Sequence, residues 1–273
     1  MVKRLLVFAG LWVLSHAQEP FSLINEISFS DLDDNISPIH ISFIGENKFV
    51  ILDSESQEIM LIDKNNIINR SGGFGQGVES FSEPSDMIVQ NLKVWICDRT
   101  ENLIQQFDYS LNYIGVELLD NTITDPFYSD ILIENPFGNP YIFSKTYGEV
   151  WSLDESNWPY IDLNQYGMDG KCIIDISADD FGNIAFLTCD NEIMMFNRFG
   201  RLMKRVKVEM IDPVFILNLN LHWLVLNGKG MVSDIDGDLL QNIELRNHEI
   251  IYDVDASLQH LTILTNERIL VYK

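Results

Sequence analysis

From Ser71 to Asp108 the chain reads SGGFGQGVESFSEPSDMIVQNLKVWICDRTENLIQQFD. A glycine-rich turn leads into three short apolar runs, DMIVQ, KVWICD and LIQQFD, parted by polar turns containing Asn, Asp or Glu. Runs of this length, rich in β-branched and aromatic residues, predict antiparallel strands. The pattern recurs along the chain. Apolar runs ending in an acidic or amide residue close at Asp63 (IMLID), Asp108 (IQQFD), Asp154 (VWSLD), Asn197 (IMMFN) and Asp236 (MVSDID), in steps of 45, 46, 43 and 39 residues. A last relative, RILVYK, reaches Lys273. Another strand-like run precedes each, as in KFVILDS, NIAFLTC and HLTILTN, and a third lies upstream, as in SDILIE and CIIDIS. A fourth often follows, as in NYIGVEL and LMKRVKV.

Four short strands per unit of about 40–45 residues are the mark of propeller blades, each buried by a neighbour on both faces. No segment sustains a 3.6-residue period with end caps, so very little helix is expected. Units begin near Ile39, Asp86, Ser129, Cys172, Val214 and Ile250, which makes six. The sixth ends after its third strand, while FSLINEISFS (Phe21–Ser30) stands unassigned ahead of the first. That leftover run supplies the missing outer strand and removes an open edge. The expected architecture is therefore all-β: residues 18–273 form one six-bladed β-propeller of four-stranded antiparallel blades, the last closed by the N-terminal strand.

The opening stretch also resembles the NHL repeat, through Gly73, Phe74, Gly75, Gly77, Phe81, Pro84, Asp98, Asn102, Ile104, Phe107 and Asp108. The likeness is strong over this one blade, partial over DDFGNIAFLTCDNEIMMFNRFGRL, and weak elsewhere. It implies a six-bladed propeller and no single function. Relatives of this kind are binding platforms, and some are lactonases or amidoglycolate lyases.

With 41 acidic against 18 basic residues the formal charge is -23. Such a surface repels phosphate backbones and anionic headgroups, so neither nucleic acid nor a membrane surface is an expected partner. Residues 1–17, MVKRLLVFAGLWVLSHA, have the basic start, short apolar run and small-residue exit of a signal peptide. No later stretch is apolar for long enough to cross a bilayer. The expectation is an exported chain, periplasmic or secreted. Export makes disulfides possible. Cys172 and Cys189 flank a strand-turn-strand run that sets them nearly opposite each other. A cross-strand disulfide fits that geometry, and two buried free thiols are the favoured alternative. Cys97 has no evident partner.

No catalytic constellation stands out. The glycines from Gly72 to Gly77 lack the Lys-Ser/Thr of a phosphate-binding loop. Asp234, Asp236 and Asp238 suggest a calcium loop, but Leu239 and Leu245 occupy the positions where that loop needs Gly and Glu. His40, His222, His248 and His260 read as scattered. In a propeller the turns between second and third strands share one face with the interblade loops. On that face the candidate binding residues are Arg99, Glu101, Phe127, Tyr128, Lys145, Tyr147, Tyr166, Lys229 and Arg268. Charges beside aromatics around a shallow funnel suit a protein or peptide partner. The leading expectation is a monomeric binding module without a cofactor. The alternative is a metal-dependent, lactonase-like hydrolase or lyase. Its Ca²⁺ or other divalent ion would sit at the mouth of the central channel, held by Asp86, Asp130 and Asp175.

Overall fold

The computed structural model describes residues 21–273 except 33–35, 46, 76, 120–125, 155–157 and 258. The proposed signal peptide lies outside the described residues. Six four-stranded antiparallel sheets are arranged as the blades of a propeller. Their inner strands are Pro38–Gly45, Pro84–Gln90, Ile131–Ile133, Ile173–Ala178, Pro213–Leu219 and Ile251–Ser257, for blades 1 to 6 in chain order. The strand Leu23–Ser28 pairs antiparallel with Arg268–Tyr272 and forms the outer edge of blade 6. Chain start and chain end thus share one sheet, and the ring closes as expected.

Burial follows position in the blade. The second strand of blade 1, Lys48–Asp53, is buried at every residue after Lys48, and the third, Glu58–Asp63, is buried at its four central residues. Neighbouring blades cover both faces, so the alternation of a half-exposed strand is lost. The outer strand Asn66–Gly72 is mostly exposed or half-buried. Six apolar clusters fill the junctions between successive blades, for example Phe143, Phe186 and Phe196 between blades 3 and 4.

The acidic residue that closes the second strand of blades 1 and 2 has a structural task. Asp98 is fully buried and accepts the backbone N–H groups of Ser82, Glu83 and Glu101. Asp53 does the same for Ser37, Glu55 and Ser56. A carboxylate placed there satisfies loop amides that the blade would otherwise bury without partners. Asn227, Thr188, Thr265 and Ser144 stand at this position in the remaining blades. Each can accept a hydrogen bond, so the repeat keeps the role and changes the residue.

Cys172 and Cys189 are joined in a disulfide, with Cα atoms 5.1 Å apart. The preference for two free thiols is thereby corrected. The hairpin of blade 4 pairs Ile173 with Thr188, which brings the next residue outward on each strand face to face. Cys97 is free and buried.

Candidate functional site

Ring geometry decides what reaches the central channel. At one matched register just after the inner strands enter their sheets, blades 1 to 6 carry His40, Asp86, Ile131, Asp175, Phe215 and Asp253. Of these, Asp86, Ile131, Asp175 and Asp253 line the central channel. The three carboxylates belong to alternate blades, and each accepts a backbone N–H from the next blade. Asp86 accepts from Leu132 (2.7 Å), Asp175 from Ile216 (2.7 Å) and Asp253 from Ile41 (2.8 Å). The ring is stapled as three blade pairs: 2 with 3, 4 with 5, and 6 with 1. Asp255 adds a second staple at the closing junction by accepting the Phe43 N–H.

His40 stands between two of these carboxylates. Its Nδ1 lies 3.4 Å from Asp86 and 3.5 Å from Asp253, and its Nε2 lies 3.2 Å from the Ser85 carbonyl oxygen. A carbonyl only accepts, so both ring nitrogens donate and the imidazole is cationic. The His40 side chain is 24% exposed. Burial opposes the charge, but the hydrogen bond to Asp253 and the charges of Asp86 and Asp253 outweigh it, holding the pKa at about 9. Burial lifts Asp86 to about 6 against the lowering effect of His40. Asp175 has no such cation, and burial takes it to about 7 despite two backbone donors. Asp255 is raised by burial to about 6. Glu134, lining the same channel, is raised to about 8 by burial and by Asp255 and Asp180.

Asp86, Glu134, Asp175, Asp253 and Asp255 line a cavity of about 130 Å³ along the axis. The His40 imidazolium stands beside two of these five carboxylates, and the carboxylates do not converge. Among the described residues, the only three acidic, His or Cys groups whose ligand atoms lie within 4.8 Å of one another are Cys172, Cys189 and Asp190. Two of those sulfurs are already bonded to each other.

The expected metal set is split by the structure. Asp86 and Asp175 line the channel, whereas Asp130 does not. The inward position in blade 3 falls to Ile131, one residue later. Asp130 instead accepts Arg99 Nε–H at 2.9 Å and the Lys145 backbone N–H at 2.7 Å.

The expected binding face is likewise divided. Phe127 is fully buried, its ring stacked parallel to Tyr147 at 6.0 Å and edge-on to Trp151, so it belongs to the core. Arg268 is also buried. It forms a two-pronged pair with Glu249, Nε to Oε1 at 2.8 Å and a terminal nitrogen to Oε2 at 2.9 Å, and reaches Glu26 on the closing strand. Tyr147 and Tyr166 are half-buried, the first bonded to the Pro126 carbonyl and the second packed edge-on to Phe196. Of the other five, Glu101 and Lys229 are exposed, and Arg99, Tyr128 and Lys145 are half-buried.

Four of these five form a connected rim at blades 1 to 3. Arg99 lies over the Tyr128 ring at 5.5 Å and bridges Glu83 and Asp130, while Lys145 adjoins Asp130 through its backbone. Glu101 accepts the Ser82 hydroxyl and so ties the glycine-rich loop to the same turn. That loop holds Phe74 81% exposed and Val78 72% exposed, anchored beneath by buried Phe81. Gly72 is required there: at φ +97°, an added Cβ would lie 2.4 Å from the Phe81 ring.

No protein-family model matches the chain, and no curated protein matches it in sequence. Solved structures do. A catalytically inactive virginiamycin B lyase from Staphylococcus aureus with quinupristin superposes with a TM-score of 0.65 at 10% identity, covering 93% of this chain and 99% of that one. A streptogramin B lyase gives 0.64 at 13% identity, covering 95% and 99%. YCF48 bound to the D1 peptide gives 0.59 at 10% identity, covering 93% and 96%. The fold is a six-bladed propeller. At these identities the likeness carries architecture alone, and the NHL resemblance has no family match behind it.

Sequence reasoning missed His40, Asp253 and Asp255. One signal was available: His40, Asp86, Asp175 and Asp253 each follow the first inner-strand residue by two positions.

Proposed function

We propose that the protein is an exported binding module, a monomeric propeller that docks a protein or peptide partner on its loop face. The observation that carries this reading is the connected rim of Phe74, Val78, Glu101, Arg99, Tyr128 and Lys145. It sets two exposed apolar side chains beside paired charges on a braced turn, the composition of a recognition surface. The polar groups of the channel support the same reading, because their hydrogen bonds hold blades together. His40, protonated on both nitrogens at neutral pH, has no lone pair to act as a base. Among the solved neighbours, YCF48 is bound to the D1 peptide, which supports the same reading.

Partner capture from the exported fraction of the host tests the reading. A species retained by the wild-type chain is expected to be lost with the Phe74→Ser/Arg99→Glu double variant and kept by His40→Gln. Stabilisation of the metal-stripped protein by Ca²⁺, Zn²⁺ or Mn²⁺, together with turnover of lactones or esters, would instead install the hydrolase or lyase reading.

A further inference from the structure

Away from the loop face, blade 4 carries a surface of opposite character to the rest of the molecule. Residues 198–207, RFGRLMKRVK, hold Arg198, Arg201, Lys204, Arg205 and Lys207 and no acidic residue, in a chain of charge -23. The outer strand of this blade is Leu202–Lys207, and among the described residues it pairs on one side only, with Glu192–Phe196. Its other edge, which no described strand covers, runs beside exposed Met203, Lys204, Arg205 and Lys207.

At the foot of this strand the turns of blades 3 and 4 expose aromatic rings. Phe199 is 67% exposed, Phe137 65% and Phe181 58%. Arg198 ties them together, its guanidinium 4.9 Å from the Phe199 ring and 5.9 Å from the Phe137 ring. Gly182 (φ +76°) lets Phe137 pack directly against the turn that displays Phe181. Basic residues on an open edge serve to discourage strand pairing between copies. That purpose accounts for the lysines, but gives no reason to place three phenylalanines on adjacent turn tips.

We propose that this edge receives an extended acidic segment of a partner protein, with an aromatic or large aliphatic side chain seated among Phe199, Phe137 and Arg198. The segment adds to the free edge of the strand Leu202–Lys207 through main-chain hydrogen bonds, and its carboxylates face Arg201, Lys204 and Lys207. Charge decides the class of partner. A narrow segment lies within a Debye length, about 8–10 Å, of the basic strip and senses mainly that strip. An anionic bilayer spans the whole face and meets the repulsion of the remaining carboxylates.

Panning a random-peptide display library on the whole mature protein tests this. The enriched peptides are expected to combine Asp or Glu with an aromatic or large aliphatic residue. Fluorescence anisotropy with one such synthetic peptide is expected to show affinity falling with salt. It should weaken by about tenfold or more in Lys204→Glu/Lys207→Glu, and also in Phe199→Ser. Lys229→Glu, on the loop face, should leave it unchanged, and thermal melts identify any variant that fails to fold. The proposal is overturned by a selection without an acidic consensus, or by peptides indifferent to both blade 4 variants. Phe199-dependent sedimentation with phosphatidylserine vesicles in the absence of peptide binding overturns it as well. None of these outcomes bears on the loop-face rim, which is tested through Phe74 and Arg99.

Discussion

Exchange of His40 for Gln removes the cation between Asp86 and Asp253 while keeping a neutral donor of similar reach. The folded pKa of about 9, against 6.5 for a free imidazole, corresponds to about 3 kcal/mol of stabilisation by the charged form. A pKa raised by folding contributes stability that is complete below the unfolded value and is lost as pH rises through the folded one. The contribution of His40 is therefore whole below pH 6.5 and gone above pH 9. The carboxylates act in the same sense for a different reason. Asp86, Asp175 and Asp255, raised to about 6 or 7, penalise the folded state at neutral pH and relieve it on acidification through that range. Wild-type stability should thus rise steadily from pH 9 toward pH 5, against the usual acid-labile trend. Guanidinium unfolding at half-unit pH steps reads this directly. His40→Gln should lie about 3 kcal/mol below the wild type at pH 6.5, roughly 6–10 °C in melting temperature for a domain of this size. The gap should close by pH 9. In the variant, Asp86 loses the charge that lowers its pKa and should titrate higher still. Parallel wild-type and variant curves between pH 6.5 and 9, or an NMR titration placing His40 near 6.5, would refute the argument.

Two further predictions concern the frame around the channel. Glu249→Ala leaves Arg268 buried at the closing blade without its two-pronged partner, and should cost about 3–5 kcal/mol. Glu249→Met/Arg268→Met should recover much of that loss, as measured by denaturant midpoints. Replacing Cys172 and Cys189 with Ala opens a 17-residue loop and should lower stability by about 3 kcal/mol. Mass spectrometry after alkylation without reductant should find no label on any cysteine of the native chain, and a single label, on Cys97, once it is unfolded.

Blade number, strand polarity and the identity of the closing strand were legible in the chain because they are local or additive. Turn residues recur every 39 to 46 positions, and a unit short of one strand leaves a remainder that has a single place to go. Asp98 was visible as a residue of the repeat, but not its task of accepting the Ser82, Glu83 and Glu101 amides, which depends on how the loop packs against the strand end. The binding face was legible only as a list of turns. Phe127 and Arg268 sit at turn positions like Tyr128 and Lys229, but Tyr147 and Trp151 cover the first and Glu249 neutralises the second. Exposure at a turn depends on which side chains the folded blade brings over it, and no local pattern encodes that. Asp130 misses the channel by one residue, a phase fixed by where the inner strand of blade 3 enters its sheet.

The sequence by itself therefore determined the repeating unit, the number of units and the manner of closure, since strand propensity and turn chemistry act over a few residues. Only the tertiary structure placed His40 between Asp86 and Asp253, a partner 213 residues away in the chain. Ring closure creates that contact, and the low dielectric of the channel then makes the imidazolium and its flanking carboxylates depend on one another.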